Sequence, residues 1–397
     1  MAVNIVDLPE NILLNILQLC NVQDLTALSV VCSLFHRLTK DSFLWRHLCF
    51  RDFRVSPESC EKSSYEKIYK NVLHKYGCML GLYQSQIGPY GGLLEIRFQD
   101  GCIEGAVWEP TSDVMEPLKE SITFSINGNE VPTKCLCIPH INPHKCSLQV
   151  DKRKGIVTQL CSDNEGHIRT LCDMDRDVTG NLFNYVSMKI VYLNEVISTG
   201  LIHKPLMLPG PDDIPNALRR KDGSFPKQII TPGLFKGTYS VHGIEVLLFR
   251  YKDEHEIHGY KVTGDVNVHA SKISVKILLK FPAYPTGKNS IAAMKTTEPE
   301  SSKTPLDQIP EHPFSIPSGC YYEATTPLPT RCIARYHGFG QIAYEEFHRP
   351  TFTPVQVIIF NNDLIGVVWI ELTAFSLFSR VQRTFTKNVL NTVESCL

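Results

Sequence analysis

IVDLPENILLNILQLCNVQDLTALSVVCSLFHRLTKDSFLWRHLCF, residues 5–50, contains no glycine and spaces its apolar residues as a helix does. Asp7 reads as an N-cap with Pro9 just inside the helix, and Ile12, Leu13, Ile16 and Leu17 share one face. A second helix opening at Asp24 would group Leu25, Leu28, Val31, Cys32 and Phe35, and a third short one carries Phe43, Leu44 and Trp45. Three short helices in ~45 residues bury too little surface to stand alone. The surplus apolar face therefore needs a partner or the following domain. Tyr65 to Tyr76 keeps the helical period, so residues 51–80 read as a helical linker.

From Gly81 onward the period shortens towards two. LLEIRF (93–98), SITFSI (121–126), IEVLLF (244–249), ISVKIL (273–278), VQVIIF (355–360) and IGVVWIEL (365–372) read as strands. Phe98-Gln99-Asp100-Gly101 and Asn127-Gly128-Asn129 supply the Asp/Asn-Gly pairs that hairpin turns need. Several short antiparallel strands with such turns suggest a closed or nearly closed barrel, since closure removes exposed edges. The expected fold is α+β: a three-helix module over 1–50, then a mainly antiparallel β-barrel over 81–397. Two stretches read as connections, 203–233 and the Pro-, Ser- and Thr-rich 282–330, the second as a flexible loop.

With Lys+Arg 40 against Asp+Glu 41, the net charge of -1 creates no global attraction for nucleic acid or an anionic membrane. The start MAVNIVDLPENILL lacks a basic n-region, and no uncharged apolar run approaches the ~20 residues that cross a bilayer. A cytoplasmic and nuclear location is expected. There the 14 cysteines would stay reduced and serve as core residues or metal ligands.

Leu8-Pro9, the Leu/Ile ladder, Val31-Cys32, Phe35 and Leu44-Trp45 stand in the positions of an F-box, and residues 5–50 resemble that family over the whole module. GLYQSQIGPYGGLLEI (81–96), TPGLFKGTYSVHGIEV (231–246), GYKVTGDVNV (259–268) and GVVWIELTAFSLFSRVQ (366–382) resemble one F-box protein whose substrate domain is a β-barrel. The likeness fades in 170–225 and 282–330. It implies a non-catalytic subunit of a Skp1–cullin–F-box ubiquitin ligase. Leu8, Pro9, Ile12, Leu13, Ile16, Leu17, Leu28, Val31, Phe35, Leu44 and Trp45 would then meet Skp1. It also implies cyclin-D-type carboxyl tails and C-terminally amidated fragments as the substrate class.

A cluster of thiols and imidazoles follows the second hairpin: Cys135, Cys137, His140, His144, Cys146, Cys161 and His167. Four such ligands close a tetrahedron around a structural zinc. Cys135 or Cys137, with His144, Cys161 and His167, resembles the family's zinc site of alternating Cys and His, and would pin an excursion over 131–170. The spacing leaves the choice between Cys135 and Cys137 open.

Asp265, in Thr263-Gly264-Asp265, is an Asx-turn residue or an acceptor for a peptide terminus. As a terminus reader it would have Tyr90, Gly91 and Lys236 nearby, with Lys236 the cation for a free carboxylate. Trp369 and Phe375 read as core, and Arg380 as solvated. Two rival functions remain at this level. A cysteine-dependent enzyme lacks any motif that would activate a nucleophile. An RNA-binding barrel would need a basic, aromatic-lined groove, and GLFKGTYSVHG (233–243) gives only a faint one.

Overall fold

A computed structural model describes residues 4–55, 64–127, 130–135, 146–161, 189, 192–193, 196, 199–209, 228–283, 289–301, 311–322 and 326–389. The first of these segments holds four α-helices rather than three: α1 (Glu10–Leu17), α2 (Val22–Leu28), α3 (Ser33–Leu38) and α4 (Ser42–Phe53). Pro9, not Asp7, is the N-cap of α1. The second expected helix starts earlier and breaks in two. Asn21 caps α2 by accepting from the Asp24 N–H at 2.8 Å, and Cys32 is extended before α3 begins. Periodicity alone carried the helix through this break, because Leu28, Val31 and Phe35 keep helical spacing on either side of it.

Trp45 holds the module together. It is buried and donates its indole N–H to the Thr39 carbonyl at 2.7 Å, while Leu13, Leu17, Leu25, Leu44 and Leu48 pack in the same core. That core runs on without interruption through α5 (Tyr65–Ile68), a π-turn (Tyr69–Leu73) and α6 (His74–Tyr76) into Tyr83, Leu94, Ile103 and Phe124 of the first sheet. At the hinge, a side chain at Gly77 would strike the Phe53 ring. Helical module and sheet are thus one packed body, not two units on a tether.

Among the described residues of 81–397, read above as one β domain, are two eight-stranded sheets. The first joins β1 (Gly81–Ser85), β2 (Leu93–Gln99), β3 (Cys102–Glu109), β4 (Lys119–Asn127), β5 (Glu130–Cys135), β6 (Cys146–Asp151), β7 (Ile156–Cys161) and β8 (Leu201–Pro205), all antiparallel. Its order is β5-β4-β3-β2-β1-β8-β7-β6, and the edge strands β5 and β6 approach one another. Asp100 (φ 50) and Gly101 (φ 84) make the β2–β3 turn with both central residues at positive φ, as the Asp-Gly pair predicts.

The second sheet is a closed barrel. Its strands are β9 (Gly233–Thr238), β10 (Ile244–Asp253), β11 (Glu256–Lys261), β12 (Ile273–Pro282), β15 (Ala334–Tyr344), β16 (His348–Asn361), β17 (Leu364–Trp369) and β18 (Ala374–Arg380). Phe235, Phe249, Ile277, Tyr336, Val357 and Phe378 fill it. Closure comes from β9, which pairs β10 on one side and β18 on the other. The described residues of 282–330 include α7 (Ile291–Thr296) and β13 (His312–Pro313), which pairs with β14 (Arg331–Cys332) just beyond; Ile291, Phe314 and Cys332 are buried in one cluster with Phe360 and Phe375.

The two sheets share a third apolar layer, in which Leu82, Leu93 and Trp108 meet Leu234, Val246, Leu248 and Phe385. The Gln84 amide donates to the Lys261 and Val262 carbonyls across this junction. No helix of the described residues is long and apolar enough to cross a membrane.

Candidate functional site

One mouth of the closed barrel opens into a cavity of about 670 Å³. Its walls include Thr238, Tyr239, His242 and Gly243 at the β9–β10 turn, Trp369, Leu372 and Ala374 to Ser376 at the β17–β18 turn, Gln341 to Ala343, and the segments Ser112–Val114 and Tyr321–Tyr322. Tyr239, Tyr321, Tyr322, Trp369 and Phe375 supply its aromatic side chains, and Lys261, Asp265 and His242 form a polar end. A mainly apolar cleft with a few convergent polar groups is the usual form of a small-ligand or peptide-end site.

The polar end is built around one buried lysine. Lys261 Nζ lies 2.6 Å from Asp265 Oδ2 and 2.6 Å from Glu245 Oε2, and all three residues are essentially without solvent contact. The same ammonium sits 4.3 Å from the centre of the Tyr239 ring. Asp265 Oδ1 accepts the backbone N–H groups of Asn267 (2.6 Å) and Val268 (2.8 Å), which is the Asx turn. Burial alone would raise the Asp265 carboxyl, but Lys261 and the hydrogen bonds it receives outweigh this and hold it well below the ordinary carboxylate range. Glu245 goes the other way: burial pushes its carboxyl well up, more than Lys261 pulls it down, and neighbouring Asp265 adds to the rise. Burial likewise lowers His242, on the wall beside them.

Asp265 therefore lines the cavity, as the sequence reading requires, yet its carboxylate is already occupied by chain and lysine. Tyr90 and Gly91 do not reach the cavity lining. Tyr90 is buried, its carbonyl accepting from Gly264 N–H, and Gly91 bridges to Thr263; both shape the loop that carries Asp265. Lys236 is buried elsewhere, donating to the Glu116 carbonyl. Arg380 is not solvated but tied to Asp363 at 2.7 Å and to the Thr231 carbonyl. Sequence reasoning missed Lys261 and Glu245. Alternation along β10 and β11 places both on an inward face, but two inward charges from different strands give no local signal of their pairing.

In the helical module the structure sorts the partner candidates. Leu13, Leu17, Phe35, Leu44 and Trp45 are the module's own core, and Leu8 and Leu28 are half-buried. Pro9, Ile12, Ile16 and Val31 face outward, joined by Ile5, Val6, Leu19, Val30, Phe43 and Phe50, which the sequence reading did not select. Nine of the sixteen large apolar side chains exposed among the described residues fall in the first fifty residues, so the unpartnered apolar surface is concentrated there.

Of the metal candidates, Cys137, His144 and His167 lie outside the described residues. Cys135 ends β5, and Cys161 ends β7, buried and in register with Cys146 of β6. Among the described residues no three His, Cys, Asp or Glu side chains converge as a metal site.

Both the helical module and the barrel have counterparts among known proteins. Residues 5–51 match the F-box-like family, and residues 218–384 match the family described as Cyclin D1 binding domain, which covers most of the closed barrel and its cavity. The α+β chain thus carries an F-box-like segment ahead of its sheets. Along nearly its full length it is similar to F-box only protein 31: to that of Rattus norvegicus at 28% identity (96% of this chain, 85% of the relative) and of Homo sapiens at 26% (96% and 84%). F-box only protein 31-A of Xenopus laevis is 25% identical over 98% of this chain and 86% of its own.

Proposed function

We propose that this chain is the substrate-recognition subunit of a Skp1–cullin–F-box ubiquitin ligase, acting as a non-catalytic adaptor in the cytoplasm and nucleus. Its helical module docks on Skp1 through the outward apolar side chains of α1 and the α2–α3 break. Its barrel cavity receives the extreme carboxyl end of a protein substrate, a cyclin-D-type tail or an amidated chain end. The observation that carries the reading is the coexistence, in one packed body, of an unpartnered apolar face at one end and an aromatic cavity with a charged floor at the other. One apolar cluster joins the module to the first sheet and a second joins that sheet to the barrel, and together they would hold a captured substrate at a fixed orientation to the ligase. A chain end offers few atoms, so an apolar pocket for the last side chain combined with hydrogen bonds to the terminal group suits it.

The same reading includes a structural zinc held by Cys135 or Cys137 with His144, Cys161 and His167. The donor chemistry fits: Cys161 is buried beside Cys146, and Cys135 ends the edge strand that approaches β6. Bound there, zinc would join the two free edges of the first sheet. The adaptor role is tested by co-purification with Skp1 and by binding of peptides that differ only in the terminal group.

A further inference from the structure

We infer that a second cleft, on the outer wall of the barrel, binds an extended acidic segment of a partner protein, with Arg250, Lys252 and Lys276 reading its carboxylates. This site is independent of whatever the barrel mouth receives. The cleft holds about 350 Å³ at the seam between the two sheets, a size within the range of ligand sites. Pro205, Leu206 and Met207, at the end of β8 and just after it, make up its first-sheet side together with Gln84. Leu248, Tyr260 and Val262 belong to its barrel side, so apolar groups contribute to both walls. Arg250 and Lys252 join the lining, and no aspartate or glutamate does.

Strand register extends this charge along the wall. Phe249, Ile257 and Ile277 fill the barrel, so the residues alternating with them on β10, β11 and β12 turn outward. Arg250 stands directly opposite His258, and His258 directly opposite Lys276. Three basic residues therefore form one row across three adjacent strands. Like charges directly opposite one another destabilise a sheet, and an anion laid over the row relieves that. Within the fold the relief is partial. Glu256 is shared between Lys252 Nζ at 2.8 Å and the buried His258 Nε2 at 2.7 Å. Lys276 has no carboxylate partner among the described residues, and its ammonium lies 4.1 Å from the centre of the Phe352 ring. A carboxylate brought by a ligand is a stronger partner for that ammonium than a ring face.

The shape and chemistry of the cleft favour a peptide over a nucleic acid. An extended peptide carries side chains to alternate sides, so acidic residues alternating with apolar ones can meet the cations with one side and the Leu206, Met207 and Leu248 walls with the other. Single-stranded nucleic acid stacks its bases on aromatic rings, and Tyr251 and Tyr260 are the only aromatic residues of the cleft lining. The net charge of -1 supplies no long-range attraction for a polyanion either.

The test measures binding of the full chain to two peptides with identical ends, one alternating Glu and Leu and the other Gln and Leu, and to a single-stranded oligonucleotide of the same charge as the first. The Glu–Leu peptide should bind about ten-fold tighter than its Gln–Leu counterpart, and the gap should shrink as salt rises. Lys252→Glu with Lys276→Glu should erase or invert the gap. Lys295→Glu, on α7, should leave it unchanged. The Lys252 side chain is 54% exposed, so Lys252→Glu alone should narrow the gap with the fold intact and decides the matter if the double variant does not fold. Equal binding of the two peptides, a gap untouched by Lys252→Glu, or one that Lys295→Glu also removes would overturn the site. Tighter binding of the oligonucleotide than of the Glu–Leu peptide would overturn the acidic peptide as its occupant.

Discussion

Gly91, at φ +61, pairs as an antiparallel bridge with Thr263, and together with the Gly264 N–H to Tyr90 carbonyl and Ala270 N–H to Pro89 carbonyl hydrogen bonds it fastens the β1–β2 connection to the loop that carries Asp265. A Cβ at Gly91 would lie 2.5 Å from the Val262 carbonyl oxygen, with backbone as the obstacle. The left-handed conformation is also strained for any β-branched residue. Gly91→Val should therefore cost about 2 kcal/mol or more, read as a lower melting temperature. It should weaken peptide binding beyond what the stability loss explains, because the Asp265 loop shifts. A variant as stable and as tight-binding as the wild type would show that the bridge positions nothing.

The helical module should separate docking from folding. Ile12→Glu with Ile16→Glu changes outward side chains of α1, where substitutions away from the core usually move stability by about 0.5 kcal/mol or less. Co-purification with Skp1 should be lost while the melting temperature holds. Leu8→Ala with Pro9→Ala should act in the same direction. Trp45→Ala instead empties the core and should cost about 3–5 kcal/mol, losing the fold of the module and Skp1 together. Full Skp1 binding by the double glutamate variant would exclude this face of α1.

His203 reports on acid stability. It is buried in the first sheet, its Nδ1 2.9 Å from Ser85 Oγ, and burial lowers it from 6.5 to about 3. Between those values the unfolded chain binds a proton that the folded chain refuses, so stability rises with pH across this window and is lost as pH falls through it. The slope from this one group should reach about 1.4 kcal/mol per pH unit. His203→Gln should flatten the profile between about pH 6.5 and about pH 3. An unchanged slope in chemical denaturation would show that His203 titrates normally.

Glu245 makes the opposite contribution. Its folded carboxyl is raised, so above the ordinary value of 4.5 the unfolded chain ionises first and stability falls as pH rises towards the folded value. Glu245→Gln should remove that fall. A steeper decline in the variant would mean that Glu245 is ionised in the folded state.

The metal prediction concerns the first sheet. Protein purified without chelator should carry about one zinc per chain, and Cys161→Ser should lower that content. Removal should loosen the β5–β6 side and leave Skp1 binding intact. A metal-free protein of equal stability would dispose of the site.

The sequence reading succeeded where the signal is local. The apolar ladder of α1, the alternation in Leu93–Gln99 and Ile273–Pro282, and the Asp100-Gly101 turn all depend on near neighbours, and each stands where it was expected. It failed where the answer depends on distant partners. The break at Cys32 is invisible to periodicity because the apolar spacing survives it. The division of strands into two sheets is decided by long-range pairing: β9 finds β18 more than 140 residues away. Lys236 and Lys261 are both buried strand lysines, and only the packing of Glu116 on one and of Glu245 and Asp265 on the other tells which faces the cavity. The Asx turn of Asp265 was legible because its chemistry is local, and the saturation of its carboxylate was not, because Lys261 and the neighbouring Glu245 reach it from other positions.

The most direct test of the whole account is ubiquitin transfer in a reconstituted mixture of this chain, Skp1, a cullin assembly and a charged conjugating enzyme. The acceptor is a reporter protein prepared with an amidated or a free-acid chain end. The account predicts that transfer requires this chain, favours the amidated reporter by about ten-fold, and is lost in the Ile12→Glu, Ile16→Glu variant. Transfer that proceeds equally well whatever the reporter's chain end would contradict it.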